Sequence, residues 1–192
     1  MEKIRSFIAI KLPQEIKNKI TETQKSLMET KADVRWVNID GIHLTLKFLA
    51  DIERSQVKEI LSAIKAASEG IKPFSLEIAS VGAFPKIEYP RVVWIGINDE
   101  TNTLKPIQKK IDENLSKIGF DREERDFKPH LTLGRVKSLK GKEKLIPLIL
   151  QAKDLSLGRF EVTGVLLMQS VLKPTGAEYS EIGKIELLFN GK

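Results

Sequence analysis

HLTLKFL at residues 43–49 is echoed by HLTLGRV at 130–136, and these two stretches hold both of the histidines that the chain contains. In an extended strand successive side chains point to opposite faces. His43 and Thr45 therefore share one face while Leu44 and Leu46 share the other, and His130 and Thr132 stand in the same relation to Leu131 and Leu133. With the leucines turned to a core, each stretch is a half-buried strand that presents an imidazole and a hydroxyl on its open face.

The match extends outward at a fixed offset of 87 residues: Phe7, Ile8, Ala9 and Ile10 fall on Trp94, Ile95, Gly96 and Ile97, and Ile20 falls on Ile107. The order of elements repeats with it. A strand is predicted over 3–10, a helix over about 14–30 that buries Ile16, Ile20, Leu27 and Met28, an extended piece over 34–37, the first HLTL strand, a helix over 57–67 and a strand over 74–81. The second round has a strand over 91–97, a helix over 101–118 that Gly119 ends, the second HLTL strand, a helix over 142–152, and strands near 159–169 and 178–188. A unit that occurs twice implies two similar lobes about a pseudo-twofold axis, and that symmetry brings the two HLTL strands face to face. The expected organisation is one two-lobed domain over 1–192, with halves of roughly 1–87 and 88–192 and room for strands to be exchanged between them.

Composition narrows the chemistry. There are 192 residues, 41% of them hydrophobic, enough to bury a substantial core as one domain. No apolar run approaches the length of a membrane span, and the start MEKIRSFIAIKLPQE meets charged residues too early for a signal peptide, so the expectation is a cytoplasmic protein with no membrane association. With 0 cysteines, disulfides, thiolate metal sites and cysteine nucleophiles are all excluded. Two histidines without a carboxylate at ligand spacing leave metal coordination short. Neither GxxxxGK[ST] nor GxGxxG occurs, so no nucleotide cofactor is indicated. A net charge of +6 favours an anionic partner, and the stretch 122–144 around the second motif is richer in Lys and Arg than in Asp and Glu.

Two imidazoles and two hydroxyls on facing walls form an acid/base set. Histidine titrates near pH 6.5, so one of a pair can accept a proton while the other donates. Threonine hydroxyls can donate to the non-bridging oxygens of a phosphate as charge builds on them. The attacking and leaving oxygens of a phosphoryl displacement lie in line on opposite sides of phosphorus, which suits groups on opposite walls. The basic surroundings of His130 favour its neutral form, which makes His130 the base and His43 the acid.

Paired HxTx strands in the halves of a basic protein of this size resemble the two-histidine (2H) phosphoesterases. Through IRSFIAIKLP, HLTLKFL, FPKIEYPRVVWIGI and FKPHLTLGRV, which span most of the chain, the sequence resembles the RNA 2′,3′-cyclic phosphodiesterases, also called 2′-5′ RNA ligases. The resemblance implies an α+β, bilobal fold with an antiparallel sheet and helices in each lobe and a central cleft. It also implies metal-independent opening of a terminal 2′,3′-cyclic phosphate to a 2′-phosphomonoester, carried by His43, Thr45, His130 and Thr132. The implied partner is RNA with such a terminus, tRNA fragments among the candidates; no cofactor is expected, and a monomer is the default where the sequence itself is silent on oligomeric state.

Four further residues are candidates. Lys47 has the parity of His43 and Thr45, which offers an ammonium to the phosphate or to solvent. Arg135 falls by strict alternation on the core face, where an unpaired guanidinium is costly, so a bulge after Thr132 or the end of the strand should turn it to the cleft. Basic residues after the second motif are common among 2H relatives, which adds phosphate binding as its role. Phe84 and Tyr89, in the Pro-bounded loop FPKIEYP, could stack on a terminal base. Core packing competes for Phe84, and Trp94, as the repeat mate of Phe7, is expected in the core. Two other functions remain open: the reverse reaction, which joins a cyclic-phosphate end to a 5′-hydroxyl, and a non-catalytic RNA-binding module.

Overall fold

Two antiparallel sheets carry the chain, and in each of them a strand of the HLTL type lies beside the strand that precedes it by one helix. A computed structural model describes residues 3–174 and 176–188. The strands are β1 (Lys3–Lys11), β2 (Val34–Trp36), β3 (His43–Glu53), β4 (Phe74–Lys86), β5 (Tyr89–Asn98), β6 (His130–Val136), β7 (Ser156–Val162), β8 (Gly164–Lys173) and β9 (Gly176–Glu186). The helices are α1 (Gln14–Met28), α2 (Val57–Ser68), α3 (Leu104–Ser116) and α4 (Lys142–Gln151). The first sheet has the order β3-β1-β8-β9 and the second β2-β6-β5-β4-β7.

Shifting by 87 superimposes β1 on β5, β3 on β6 and β4 on β8, so the trio β3-β1-β8 of one sheet repeats as β6-β5-β4 of the other. The exchange is reciprocal, because β4 belongs to the first half but completes the second sheet, and β8 does the opposite. Helices follow the same rule. α1 packs on β7 and α4 beside the second sheet, while its repeat mate α3 packs on β3 and α2 beside the first. This is the duplicated α+β, two-lobed fold that the offset and the resemblance imply.

Local sequence explains the helix ends. Pro13 stands just ahead of α1, where its missing N–H costs nothing. Gly119, with φ +94, takes the left-handed conformation that stops the turn after α3. Ile16, Ile20 and Leu27 of α1 are buried as expected, but Met28, the last residue of the helix, is 45% exposed because the packed face ends at Leu27. Two other expectations change. FPKIEYP is a continuation of β4 and β5 into a hairpin and not a free loop, and the strand predicted over 159–169 is two strands, β7 and β8, that break at Thr163 and pair in different sheets.

Inward residues of both sheets and all four helices join one apolar cluster, including Ile8, Ile10, Leu44, Ile95, Leu131 and Leu133. Phe7 and Trp94 are outside it. Trp94 stands opposite Thr132 in the ladder and is half-buried, so it lies on the open face of the second sheet with the motif residues and not in the core as expected. Its indole lies flat over Gly82, where an added Cβ would come within 2.3 Å of Cζ2. Of the two aromatic repeat mates, Phe7 stacks on His43, whereas Trp94 packs on Phe84, which in turn meets His130.

Candidate active site

Each histidine opens its strand and is held by the same local contact. His43 Nδ1 lies 2.7 Å from the carbonyl oxygen of Gly41, and His130 Nδ1 lies 2.7 Å from that of Lys128. Gly41 and Lys128 are themselves 87 residues apart. A carbonyl only accepts, so Nδ1 carries the proton in both rings and Nε2 is the nitrogen left to exchange one. This is the orientation that an acid/base histidine needs, and it arises from the backbone two residues before each ring.

The neighbours of the two rings differ. His43 stacks on Phe7 at 4.4 Å between centroids and meets the edge of Tyr179 at 4.9 Å, whereas His130 meets Phe84 edge-on at 5.1 Å. Burial pushes the His43 pKa down, the Gly41 carbonyl pulls it partly back, and Lys17 nearby lowers it again, so the net shift is downward from 6.5. The charge count along the chain favours His130 as the neutral partner; the structure puts a bias toward the neutral form on His43, and its main cause is desolvation rather than charge.

A β-bulge follows each threonine. Across from β3, Ala9 pairs with Thr45 and Ile8 with Lys47, which leaves Leu46 unmatched; across from β6, Trp94 pairs with Thr132 and Val93 with Gly134, which leaves Leu133 unmatched. An extra residue reverses the parity of everything after it. Consequently Arg135, opposite Val92, stands on the face of Trp94 and Thr132 and is exposed. Its repeat mate Phe48 is 74% exposed and contacts Phe7.

The same bulge removes Lys47 from the cleft. Its ammonium donates to Asp112 Oδ1 of α3 at 2.6 Å and to the carbonyl of Asp121 at 2.7 Å, and both charged side chains are almost wholly buried. The phosphate role expected from strict alternation is therefore corrected: Lys47 is turned inward and committed to a carboxylate. For Asp112, burial raises the carboxyl pKa, but the bonds from Lys47, the Glu123 N–H and Arg122 outweigh it and hold the group below its ordinary value.

The bulged carbonyls have matched partners. Gln24 of α1 donates to Leu133 O at 3.0 Å and to Val37 O at 2.9 Å, and Gln108 of α3 reaches Leu46 O at 3.4 Å. Each buried amide comes from the half that does not contain the bulge it supports. Neither glutamine is suggested by the HLTL pattern; the only signal available to sequence was a polar residue on an otherwise apolar helix face.

Of the two aromatic candidates, Phe84 lies beside His130 and Trp94 on the open face. Tyr89 does not join them. It is 64% exposed, with the Lys142 ammonium of α4 at 5.5 Å over its ring, so its face is turned toward a helix and its expected stacking role is not supported. A cavity of about 460 Å³ opens beside His43, and its lining includes the apolar Ala9, Leu166 and Met168 together with Lys11, Lys17 and Tyr179. Strands β3 and β6, which carry the two motifs, approach one another. Among the described residues no group of three or more His, Asp or Glu is placed to hold a metal ion, and no helix is long and apolar enough to cross a membrane.

Known proteins are similar to this chain in sequence and in fold. Residues 10–94 and 95–179 each match the family described as LigT like Phosphoesterase. The chain belongs to this phosphoesterase family. The two matches are of equal length and follow one another, as a duplicated chain requires, although their boundary falls inside β5 and not between β4 and β5. A relative from Methanocaldococcus jannaschii is 37% identical over 93% of this chain and 98% of its own length, and one from Methanothermobacter thermautotrophicus is 34% identical over 94% and 97%; each bears the name RNA 2′,3′-cyclic phosphodiesterase. The crystal structure of Escherichia coli LigT in apo form has the same fold, with a TM-score of 0.77 over 97% of this chain and 99% of that one at 23% identity.

Proposed function

We propose that the protein hydrolyses RNA 2′,3′-cyclic phosphate ends to 2′-phosphomonoesters, with His43 and His130 as the acid/base pair. The observation that carries this is the matched pinning of both Nδ1 atoms by carbonyls, which dedicates both Nε2 atoms to proton exchange. The names of the relatives support the choice of substrate. The phosphate sits between the motifs, where Thr45 and Thr132 donate to its non-bridging oxygens and Arg135 balances its charge.

Product identity fixes the proton bookkeeping. Forming a 2′-phosphate breaks the P–O3′ bond, so one histidine must donate a proton to O3′ while the other removes one from the attacking water. A base must be neutral at the start of the step, and the downward shift at His43 suits that role; His130 then protonates O3′. This reverses the assignment drawn from charge alone. Neither step calls for a metal, and the expected cofactor requirement is none.

Turnover of an RNA oligonucleotide ending in a 2′,3′-cyclic phosphate, in the presence of EDTA, tests the reading directly. A 2′-phosphomonoester product supports it. Tight binding without turnover would replace it with a non-catalytic RNA-binding module. The same displacement with a 5′-hydroxyl end, such as that of a tRNA half, attacking in place of water forms P–O5′ as P–O3′ breaks; this joining is a second reading favoured by the cavity beside His43, which has nucleoside dimensions and lies on the side of the base. Adding a 5′-hydroxyl oligonucleotide to the same assay would reveal a 2′-5′ linkage. A single species in gel filtration at the monomer size would support the expected monomer.

A further inference from the structure

Arg35 and Arg135 stand directly opposite one another on β2 and β6. Arg135 in turn stands opposite Val92, two residues along β5 from Trp94, the partner of Thr132. Residues opposite each other in a ladder share a face, so both arginines are on the face that carries His130 and Thr132. Both are exposed, and among the described residues neither has a carboxylate within ion-pair distance. Like charges directly opposite destabilise a sheet. Nothing in the packing of the described residues on this face offsets that repulsion, whereas an anion lying across the two would.

The backbone beneath Arg35 is fixed although β2 is only three residues long. Val34 and Trp36 flank it and close on Gly134 so tightly that an added Cβ would come within 2.6 Å of Val34 Cγ1 and 2.8 Å of Trp36 Cε3. Val37 N bonds Leu133 O, Gln24 bonds Val37 O, and Asp33 exchanges backbone bonds with Lys137 and Lys140. Arg35 therefore leaves a rigid support, which limits the entropy lost on binding.

Distance decides which phosphate it meets. Arg135 is displaced from Thr132 by two positions of β5, roughly 7 Å at about 3.3 Å per residue, and Arg35 lies one strand further, by about 4.8 Å. Arg135 can reach the reactive phosphate; Arg35 is about one nucleotide beyond it. We propose that Arg35 binds the phosphodiester immediately upstream of the terminal nucleotide, with Arg135 between that phosphate and the reactive one. The site would make the enzyme prefer RNA over a cyclic mononucleotide, through the planar, two-pronged phosphate contact that a guanidinium makes and an ammonium does not. The inference rests on the proposed phosphodiesterase reading.

The test compares two substrates, a nucleoside 2′,3′-cyclic phosphate with a free 5′-hydroxyl and a dinucleotide whose 3′ end is the cyclic phosphate, for the wild type and for Arg35→Gln and Arg35→Lys. The wild-type ratio of kcat/KM, dinucleotide over mononucleotide, should fall about tenfold in Arg35→Gln, mainly through KM, with a smaller fall in Arg35→Lys. The salt dependence of kcat/KM for the dinucleotide should become shallower by about 0.7 in the log–log slope, the amount for one phosphate contact on a single strand. An unchanged ratio and slope would overturn the inference, and so would an equal loss on both substrates, which would place Arg35 at the reactive phosphate or in the fold. Wild-type protein that turns over neither substrate would instead overturn the phosphodiesterase reading and this site with it.

Discussion

At each histidine the decisive atom is Nδ1, because its bond to a carbonyl two residues back leaves one nitrogen for chemistry. Replacing either ring by alanine should lower kcat by about 10² to 10⁴ while RNA affinity, measured by filter binding, stays close to wild type. An aryl phosphodiester with a good phenolate leaving group separates the roles, since it needs little protonation. It should partly rescue His130→Ala and not His43→Ala, and the opposite pattern would return the acid role to His43. Because His43 is depressed by burial under Phe7 and Tyr179, the acid limb of the kcat/KM profile should lie below pH 6.5. Tyr179→Ala uncovers the ring and should move that limb upward, which a pH profile checks. The linkage has a definite sign: the unfolded chain binds this proton more readily, so the His43 contribution to stability is present above about pH 6.5 and is lost as the pH falls toward the folded value. Lys47 makes a different prediction, now that it belongs to a buried pair. Lys47→Ala leaves the buried Asp112 carboxylate with only the Glu123 N–H and the partly exposed Arg122, so it should cost less in a denaturant titration than the about 3–5 kcal/mol of a fully unpaired buried charge, with Lys47→Met costing about as much and Lys47→Ala/Asp112→Ala in combination costing less than Lys47→Ala alone. Since Asp112 is held low, the stability of that pair is present above its unfolded pKa near 3.9 and disappears as pH falls through the lower folded value.

At the scale of elements, the HLTL strand is an alternating strand only as far as its threonine. His43, Thr45, His130 and Thr132 are legible because they precede the bulge, where period two holds. Arg135 can be placed on the open face because a buried guanidinium is costly enough to demand a bulge. The repeat carries the same bulge back by 87 residues to Leu46, turning Lys47 inward and Phe48 outward, but a lysine raises no comparable energetic objection to the open face, so nothing at Lys47 itself signals the change of parity. Trp94 is misread for a related reason: an aromatic in an apolar run reads as core, and nothing in the run says which of its two faces meets helices. The bulges depend on amides reaching across from the other half. Gln24 is the better test, since it bonds both Leu133 O and Val37 O at ordinary distances, whereas Gln108 reaches Leu46 O at 3.4 Å. Gln24→Leu leaves the Val37 carbonyl without its side-chain donor and should cost about 1–3 kcal/mol in urea unfolding. Gln108→Leu should cost less, and equal costs would show that the length of the bond is not what sets its contribution.

For the whole molecule, the offset of 87 implies the existence of two lobes, but not how the chain is divided between them. Periodicity identifies a strand and its buried face; it carries no information on which sheet the strand enters, because an antiparallel edge accepts any strand of suitable pattern. So β4 can be recognised as a strand without showing that it leaves its own half to pair with β5 and β7, and β8 without showing that it returns to β1. The exchange of α1 and α3 is hidden in the same way. Its consequence is that neither half has a complete sheet: residues 1–87 retain β1 and β3 but lack β8, while 88–192 retain β5 and β6 but lack β4. A two-stranded antiparallel pair is marginal in water, and here the central strand of each sheet would be left with an open edge. Cutting the chain in the turn between β4 and β5, at residues 87–88, should therefore give two fragments that are each largely unfolded by circular dichroism. Mixed at equal concentration they should recover the far-ultraviolet spectrum of the intact chain together with cyclic phosphodiesterase activity, because the cut opens only a hairpin turn at the end of the sheet while every exchanged strand finds its partner in the other fragment. A cooperative unfolding transition from either fragment alone would show that the halves are independent domains and that the strand exchange is incidental to stability.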